Sequence, residues 1–233
     1  MIYQHRQVIA REGRLEQRHR AFQDTALSAL DDHGSTLIAA WEVWTGADAD
    51  CAVYQMRQFD SLADWEGHQQ RVSADTVMAA SRQATLSPVL DQVDTAIVRM
   101  AAGIPALPRD WPEIATVRGT PRGFFEQRIL RFKPGTAAAH HALYQAEVIP
   151  ALTRCGGELM GLFDTVIGPG TMNASSHRSI EVRRFADLQC WQDWRNDQDH
   201  VPELRELMKE RYITLVAQLD SVLMRPLDYS RVR

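Results

Sequence analysis

The sequence predicts an α+β fold made twice in one chain: two tandem β-α-β-β-α-β units packed sheet on sheet into a barrel. Three observations carry this expectation. Residues 2–100 and 124–227 align as two versions of one unit. Each version has the same order of strand-like and helix-like segments, and a proline-rich connector separates them. Offset by 122, Tyr3 falls on Phe125, Arg6 on Arg128, Gly13 on Gly135, His19 on His141, Leu30 on Leu152 and Gly34 on Gly156. Offset by 126, Arg57 falls on Arg183, Phe59 on Phe185, Trp65 on Trp191, Asp94 on Asp220 and Arg99 on Arg225, so the second version carries four extra residues near the turn 168–178. A period this long is a duplicated domain rather than a solenoid.

Each unit opens with a strand, IYQHRQVI or FFEQRILRF, rich in residues that suit a sheet. A helix follows. Leu15, His19, Phe22, Ala26 and Leu30 in the first unit, and Ala137, His141, Tyr144, Val148 and Leu152 in the second, recur at helical spacing and predict one buried face. Gly34 and the Gly156–Gly157 pair stand where left-handed caps end these helices. The second strands are TLIAAWEVWTG and ELMGLFDTVIG, and the third are AVYQMRQF and SIEVRRF. The second helices start near Ser61 and Asp187; the latter breaks near Pro202 and resumes as ELRELMKERYITLVAQL. TAIVRM and SVLMRPL close the units as final strands.

This order is that of a ferredoxin-like unit, a four-stranded antiparallel sheet with helices on one face. The uncovered face needs a partner, and the other unit supplies it. The expected organisation is therefore residues 1–101 as the first repeat, 102–123 as a linker along the surface, and 124–233 as the second repeat.

Composition narrows the partners. With 233 residues, 45% of them hydrophobic, the chain is long enough for an ordinary core. A formal charge of −4 without long runs of one sign gives no footprint for nucleic acid or an anionic membrane. Three scattered cysteines, Cys51, Cys155 and Cys190, fit free thiols in a reducing compartment. The start MIYQHRQVIAR lacks a signal-peptide pattern and no run of 18 apolar residues occurs, so a soluble cytoplasmic protein is expected.

The candidate chemistry sits on the central strands. Side chains alternate along a strand, so Gln4 shares a face with Arg6, Gln55 with Arg57, Glu126 with Arg128 and Glu181 with Arg183. Strands one and three are central neighbours in this fold. Each unit thus holds a polar quartet where both faces are covered, and buried charges there must pair. If the second quartet faces the helices, His141 looks onto Glu126, Glu181, Arg128 and Arg183, with Tyr144 one turn away. That arrangement suits proton transfer by His141 with Glu126 or Glu181, negative charge held by Arg128 and Arg183, and a substrate oriented by Tyr144. The first unit has Gln4, Gln55 and Phe22 at the matching places, so the site is expected in residues 124–227. A salt-bridged centre that fixes strand register is the competing expectation, and a lone histidine on an apolar face is often a core residue.

Other motifs contribute little. His140 and His141 point about 100° apart on a helix and do not easily share a metal, no metal-ligand spacing occurs, and no glycine-rich loop cradles a nucleotide. His177 and His200 lie where they could reach a pocket mouth, although surface positions explain them better. The tryptophans Trp41, Trp44, Trp65, Trp191 and Trp194 read mainly as core. Haem stays open, because an axial His141 or His200 leaves no signature.

FFEQRILRFKPG, GELMGLFDTVIGP, SIEVRRFADLQCW and LDSVLMRPLDYS resemble the NIPSNAP family of the dimeric α/β-barrel superfamily. The first unit departs from that pattern, with REG for KPG and no IGP turn or RPL ending. The resemblance implies a pseudo-dimeric barrel within one chain, with further homo-oligomers possible, and ligands between sheet and helix. Superfamily relatives include cofactor-free monooxygenases, haem enzymes, isomerases and cyclases, and fold does not fix chemistry. The expectation is an enzyme acting on a small, partly apolar organic molecule by acid/base chemistry without a cofactor. A non-catalytic binding or scaffold protein, and a haem-binding or haem-degrading one, are the alternatives.

Overall fold

A computed structural model describes residues 1–46, 49–102, 123–168 and 178–230. The proposed linker and the four-residue insertion near 168–178 fall largely outside these residues, as does His177. Among the described residues no helix is long and apolar enough to cross a membrane.

Eight strands close into one barrel. They are β1 Ile2–Ala10, β2 Thr36–Thr45, β3 Ala52–Phe59, β4 Leu90–Met100, β5 Phe124–Phe132, β6 Gly157–Ile167, β7 Arg178–Phe185 and β8 Val216–Pro226. Around the barrel the order is β1-β3-β2-β8-β5-β7-β6-β4, so the two units run β4-β1-β3-β2 and β8-β5-β7-β6. Their edges join by hydrogen bonding at two seams, β2 with β8 and β4 with β6, which leaves no open strand edge.

Strand alternation sorts side chains into three layers. Inside the barrel lie Tyr3, Trp41, Tyr54, Met56, Phe125, Phe163, Val182 and Met224, contributed by both units. Tyr3 meets Phe163 edge-on at 5.1 Å, and Trp41 lies 5.6 Å from Phe125, so aromatic contacts lock the two sheets together. His5 and Gln127 meet in the same interior, Nε2 to Oε1, at 2.8 Å. The other faces pack outward against helices: Phe22, Ala26, Leu30, Leu37 and Met78 in the first unit, and Leu130, Tyr144, Val148, Leu152, Trp194 and Tyr212 in the second.

The second helices begin where expected. Ser61 Oγ accepts from Asp64 N at 3.1 Å and Asp187 Oδ1 from Cys190 N at 2.8 Å, each acting as an N-cap. The Leu188–His200 helix ends before Pro202, which opens the next one. Two expectations need correction. β4 begins at Leu90 and β8 at Val216, about five residues earlier than the apolar runs suggested. Asp91, Gln92 and Val93 are exposed, so this stretch shows no alternating pattern, yet its backbone pairs with β1 through a register shift at Asp91. Pairing with a buried central strand overrides weak local propensity.

Both first helices contain a π-helical turn, Gln23–Leu27 after Leu15–Phe22 and Tyr144–Val148 after Ala137–Leu143. The turn decides which residues face the sheet. Steps of four drift by roughly 40° each along an α-helix, and a widened turn absorbs that drift. The inward stripes are therefore Arg18, Phe22, Ala26 and Leu30, and His140, Tyr144, Val148 and Leu152, all buried.

Candidate functional site

The second quartet faces the helices and is sealed. In register, Glu126 stands opposite Arg183 and Arg128 opposite Glu181. Glu126 and Glu181 are wholly buried, and Arg183 is 1% exposed. Arg183 contacts Glu181 through Nε and lies 3.5 Å from Glu126 through Nη1, and Arg128 lies 3.5 Å from Glu181. The Tyr144 hydroxyl donates to Glu181, and Ser221 Oγ donates to Glu126 at 2.9 Å. The Arg128 and Arg183 guanidinium groups lie over the Tyr212 and Trp194 rings. Burial pushes the Tyr144 phenol well above its ordinary value, with Glu181 adding to it, so Tyr144 stays neutral. Burial alone would lower the Arg183 value, but Glu181 and Glu126 outweigh it and hold the guanidinium charged. Five of the six residues expected from the sequence, Glu126, Arg128, Tyr144, Glu181 and Arg183, are thus brought together as a buried ion network, in which Arg128 Nε and Arg183 Nη2 have no hydrogen-bond partner.

His141 is not brought to them. The inward position on its helix belongs to His140, because the π turn sets the stripe one residue earlier. His140 is wholly buried among Phe132, Tyr144 and Tyr212, with neither ring nitrogen hydrogen-bonded. Burial, with the charges of His141, Arg128 and Arg183, lowers its pKa to about 3. His200 is exposed, its Nδ1 bonded to Asn196 O at 2.8 Å.

His141 turns instead toward the seam between units. Its Nε2 lies 3.2 Å from Asp164 Oδ1 on β6, and Ser179 Oγ donates to the same oxygen at 2.6 Å. Arg99 of β4 stands opposite Asp164 in the seam register. Burial alone would raise the Asp164 carboxyl, but His141, Ser179 and Arg99 outweigh it and hold it below the ordinary range. Asp164, Ser179, Thr165, Arg99 and Arg178 line a cleft of about 360 Å³. Within it, Arg178 Nε and Thr165 Oγ1 are buried without a hydrogen-bond partner. The other seam has the matching set: His19 Nε2 lies 3.8 Å from Glu42 on β2, and Arg225 of β8 lies 3.9 Å from Glu42. Each set takes its histidine and carboxylate from one unit and its arginine from the other. Asp164 and Arg99 gave no signal in the sequence because their meeting depends on how the two sheets close.

The comparisons agree with this geometry. The sequence profile of the NIPSNAP family matches residues 125–231. No protein of curated function matches the chain. A candidate monooxygenase from Fusobacterium nucleatum is similar in structure, with 9% identity, a TM-score of 0.63, and 97% of this chain and 92% of that one covered. Chlorite dismutase from Candidatus Nitrospira defluvii is also similar, with 8% identity, a TM-score of 0.53, and 97% and 91% covered. A NIPSNAP family protein from Agrobacterium tumefaciens is 24% identical over 48% of this chain and 99% of its own, with a TM-score of 0.41. At these identities the Fusobacterium and Nitrospira structures show a shared fold, which does not carry chemistry with it. Residues 125–231 match the NIPSNAP family and form the second unit of a dimeric α/β-barrel contained in one chain.

Proposed function

We propose that the protein is an enzyme acting on a small, partly apolar organic molecule by acid/base chemistry, and that the reacting group sits in the seam cleft beside Asp164. The observation that carries this reading is the Asp164–Arg99 pair lining an open cleft, with His141 3.2 Å from Asp164 and with Arg178, half-buried, presenting an unpartnered Nε beside it. Asp164 lies 3.2 Å from Nε2 of His141, an ion-pair distance without a formed hydrogen bond, and His141 is the group assigned to proton exchange. Arg99 and Arg178 supply positive charge for an enolate-like or carboxylate intermediate. Glu126, Glu181, Arg128, Arg183 and Tyr144 do not line this cleft and lie buried between the second unit's sheet and its helices. The full burial of Glu126 and Glu181 supports the register-fixing role for those five residues, because a carboxylate without solvent access does not meet a substrate.

The test is proton exchange in D2O, followed by NMR, for a panel of small carboxylates, phenols and polyketide-like aromatics. The expected result is exchange by the wild type on at least one class, reduced roughly 100-fold or more in His141→Gln and Asp164→Asn, as for loss of a general base. Exchange in both variants undiminished from the wild type, or none across the panel with no thermal shift, sinks the proposal. Haem belongs in the thermal-shift arm, since a Soret band on titration would point to the haem alternative.

A further inference from the structure

The first unit differs from the second in the balance of charge behind its sheet. Gln4 and Gln55 stand opposite Arg57 and Arg6, where the second unit places Glu126 and Glu181 opposite its arginines. Arg57 is answered by Asp31 at 3.1 Å and Ser35 Oγ at 2.6 Å. Three further guanidinium groups, of Arg6, Arg18 and Arg82, line one cavity with Gln55, and no carboxylate is among its lining residues. Arg18 is 1% exposed; its Nη1 donates to the Tyr229 hydroxyl at 2.7 Å, while its Nε has no partner. Arg6 Nε is likewise buried without a hydrogen-bond partner. Burial, and then the charges of Arg82, Arg57 and Arg18, lower the Arg6 pKa to about 10, with no opposing group to raise it. Unpaired buried cations are costly, and in the second unit the cost is offset by carboxylates within the chain.

From this geometry we infer that the first unit binds the carboxylate of a small apolar acid in the Arg6–Arg18–Arg82 cavity. The site is independent of the seam cleft. Guanidinium groups suit a carboxylate because paired N–H donors match its two oxygens. Size fits too. The space open to the centres of water-sized groups is about 30 Å³, against roughly 10–15 Å³ for one water. That admits a head group of three atoms and excludes a ring. The walls beyond it are apolar, with Phe22 and Leu86 inside and Val93, which is 39% exposed, at the edge, so the body of the acid lies along them toward solvent. The ligand stands in for the carboxylate that Glu181 provides in the other unit.

The experiment is calorimetric titration of the full chain with hexanoate, hexanol and inorganic phosphate, repeated on Gln55→Glu, Arg82→Gln and Arg178→Gln. The expected result is saturable binding of hexanoate alone, weakened at least tenfold in Gln55→Glu, which fills the site with an internal carboxylate, and in Arg82→Gln, which is half-buried and should fold. Arg178→Gln should bind as the wild type does. Hexanol binding equal to hexanoate, phosphate binding in its place, or undiminished affinity in Gln55→Glu and Arg82→Gln would each overturn the inference. Loss of hexanoate binding in Arg178→Gln alone would move the anion to the seam cleft and overturn it as well.

Discussion

His140 offers the most direct quantitative test, through the acid sensitivity of the fold. It is wholly buried, has no hydrogen-bond partner, and has a pKa lowered from 6.5 to about 3. His5 behaves alike: burial, with the nearby Arg178 charge, lowers its pKa to about 4 against the raising effect of Gln127. In both cases the unfolded chain binds a proton that the folded protein refuses. Stability is therefore intact above pH 6.5 and declines as pH falls toward the folded values. Each pH unit is worth about 1.4 kcal/mol per group, so lowering pH from 7 to 5 costs about 2 kcal/mol for each histidine. For a chain of this length 2 kcal/mol corresponds to a melting-temperature change of about 4–8 °C. His140→Phe keeps an aromatic ring among Phe132, Tyr144 and Tyr212 and removes no hydrogen bond, so stability at pH 7 should change by under about 1 kcal/mol. The loss between pH 7 and 5 should shrink by about 2 kcal/mol. Urea unfolding at the two pH values measures both quantities, and imidazole NMR should show His140 neutral throughout. An unchanged acid loss in the variant, or a His140 resonance titrating near 6.5, would refute the reasoning.

Further outcomes follow from the same contacts. Arg183→Met leaves Glu126 and Glu181 buried without their shared cation and should cost about 3–5 kcal/mol, whereas Glu126→Gln/Glu181→Gln/Arg183→Met should recover much of it; denaturant midpoints decide, and a simple sum of single effects would contradict the network. Asp164→Asn should lower stability near neutral pH by about 1–2 kcal/mol. Because the folded Asp164 value lies below 3.8, that difference should fade as pH falls beneath 3.8, and a difference persisting at strongly acid pH would speak against it. At Gly161 an added Cβ would fall 2.4 Å from the Phe163 ring, so Gly161→Ala should cost about 1–3 kcal/mol by overpacking, visible in a thermal melt. Trp41→Ala empties a wholly buried position against Phe125 and should cost about 3–5 kcal/mol; a smaller loss would mean that the barrel interior collapses around the gap.

What the sequence determined by itself was whatever depends on short-range periodicity and on the order of elements. Alternation along β5 and β7 placed Glu126, Arg128, Glu181 and Arg183 on one face, and their neighbouring strands made cross-pairing of opposite charges a necessity. Ser61 and Asp187 announced their helices because an N-cap is a local hydrogen bond. The tertiary structure alone decided three things. It decided which histidine faces inward, since His140 and His141 differ by one helical step and the π turn that follows them, Tyr144–Val148, has no sequence signal. It decided the lengths of β4 and β8, whose exposed polar starts are ordered only by their neighbours. And it decided the seam site, where Arg99 meets Asp164 and Arg225 meets Glu42, because those charges come from different units and their distance is fixed by the closure of the barrel rather than by spacing along the chain.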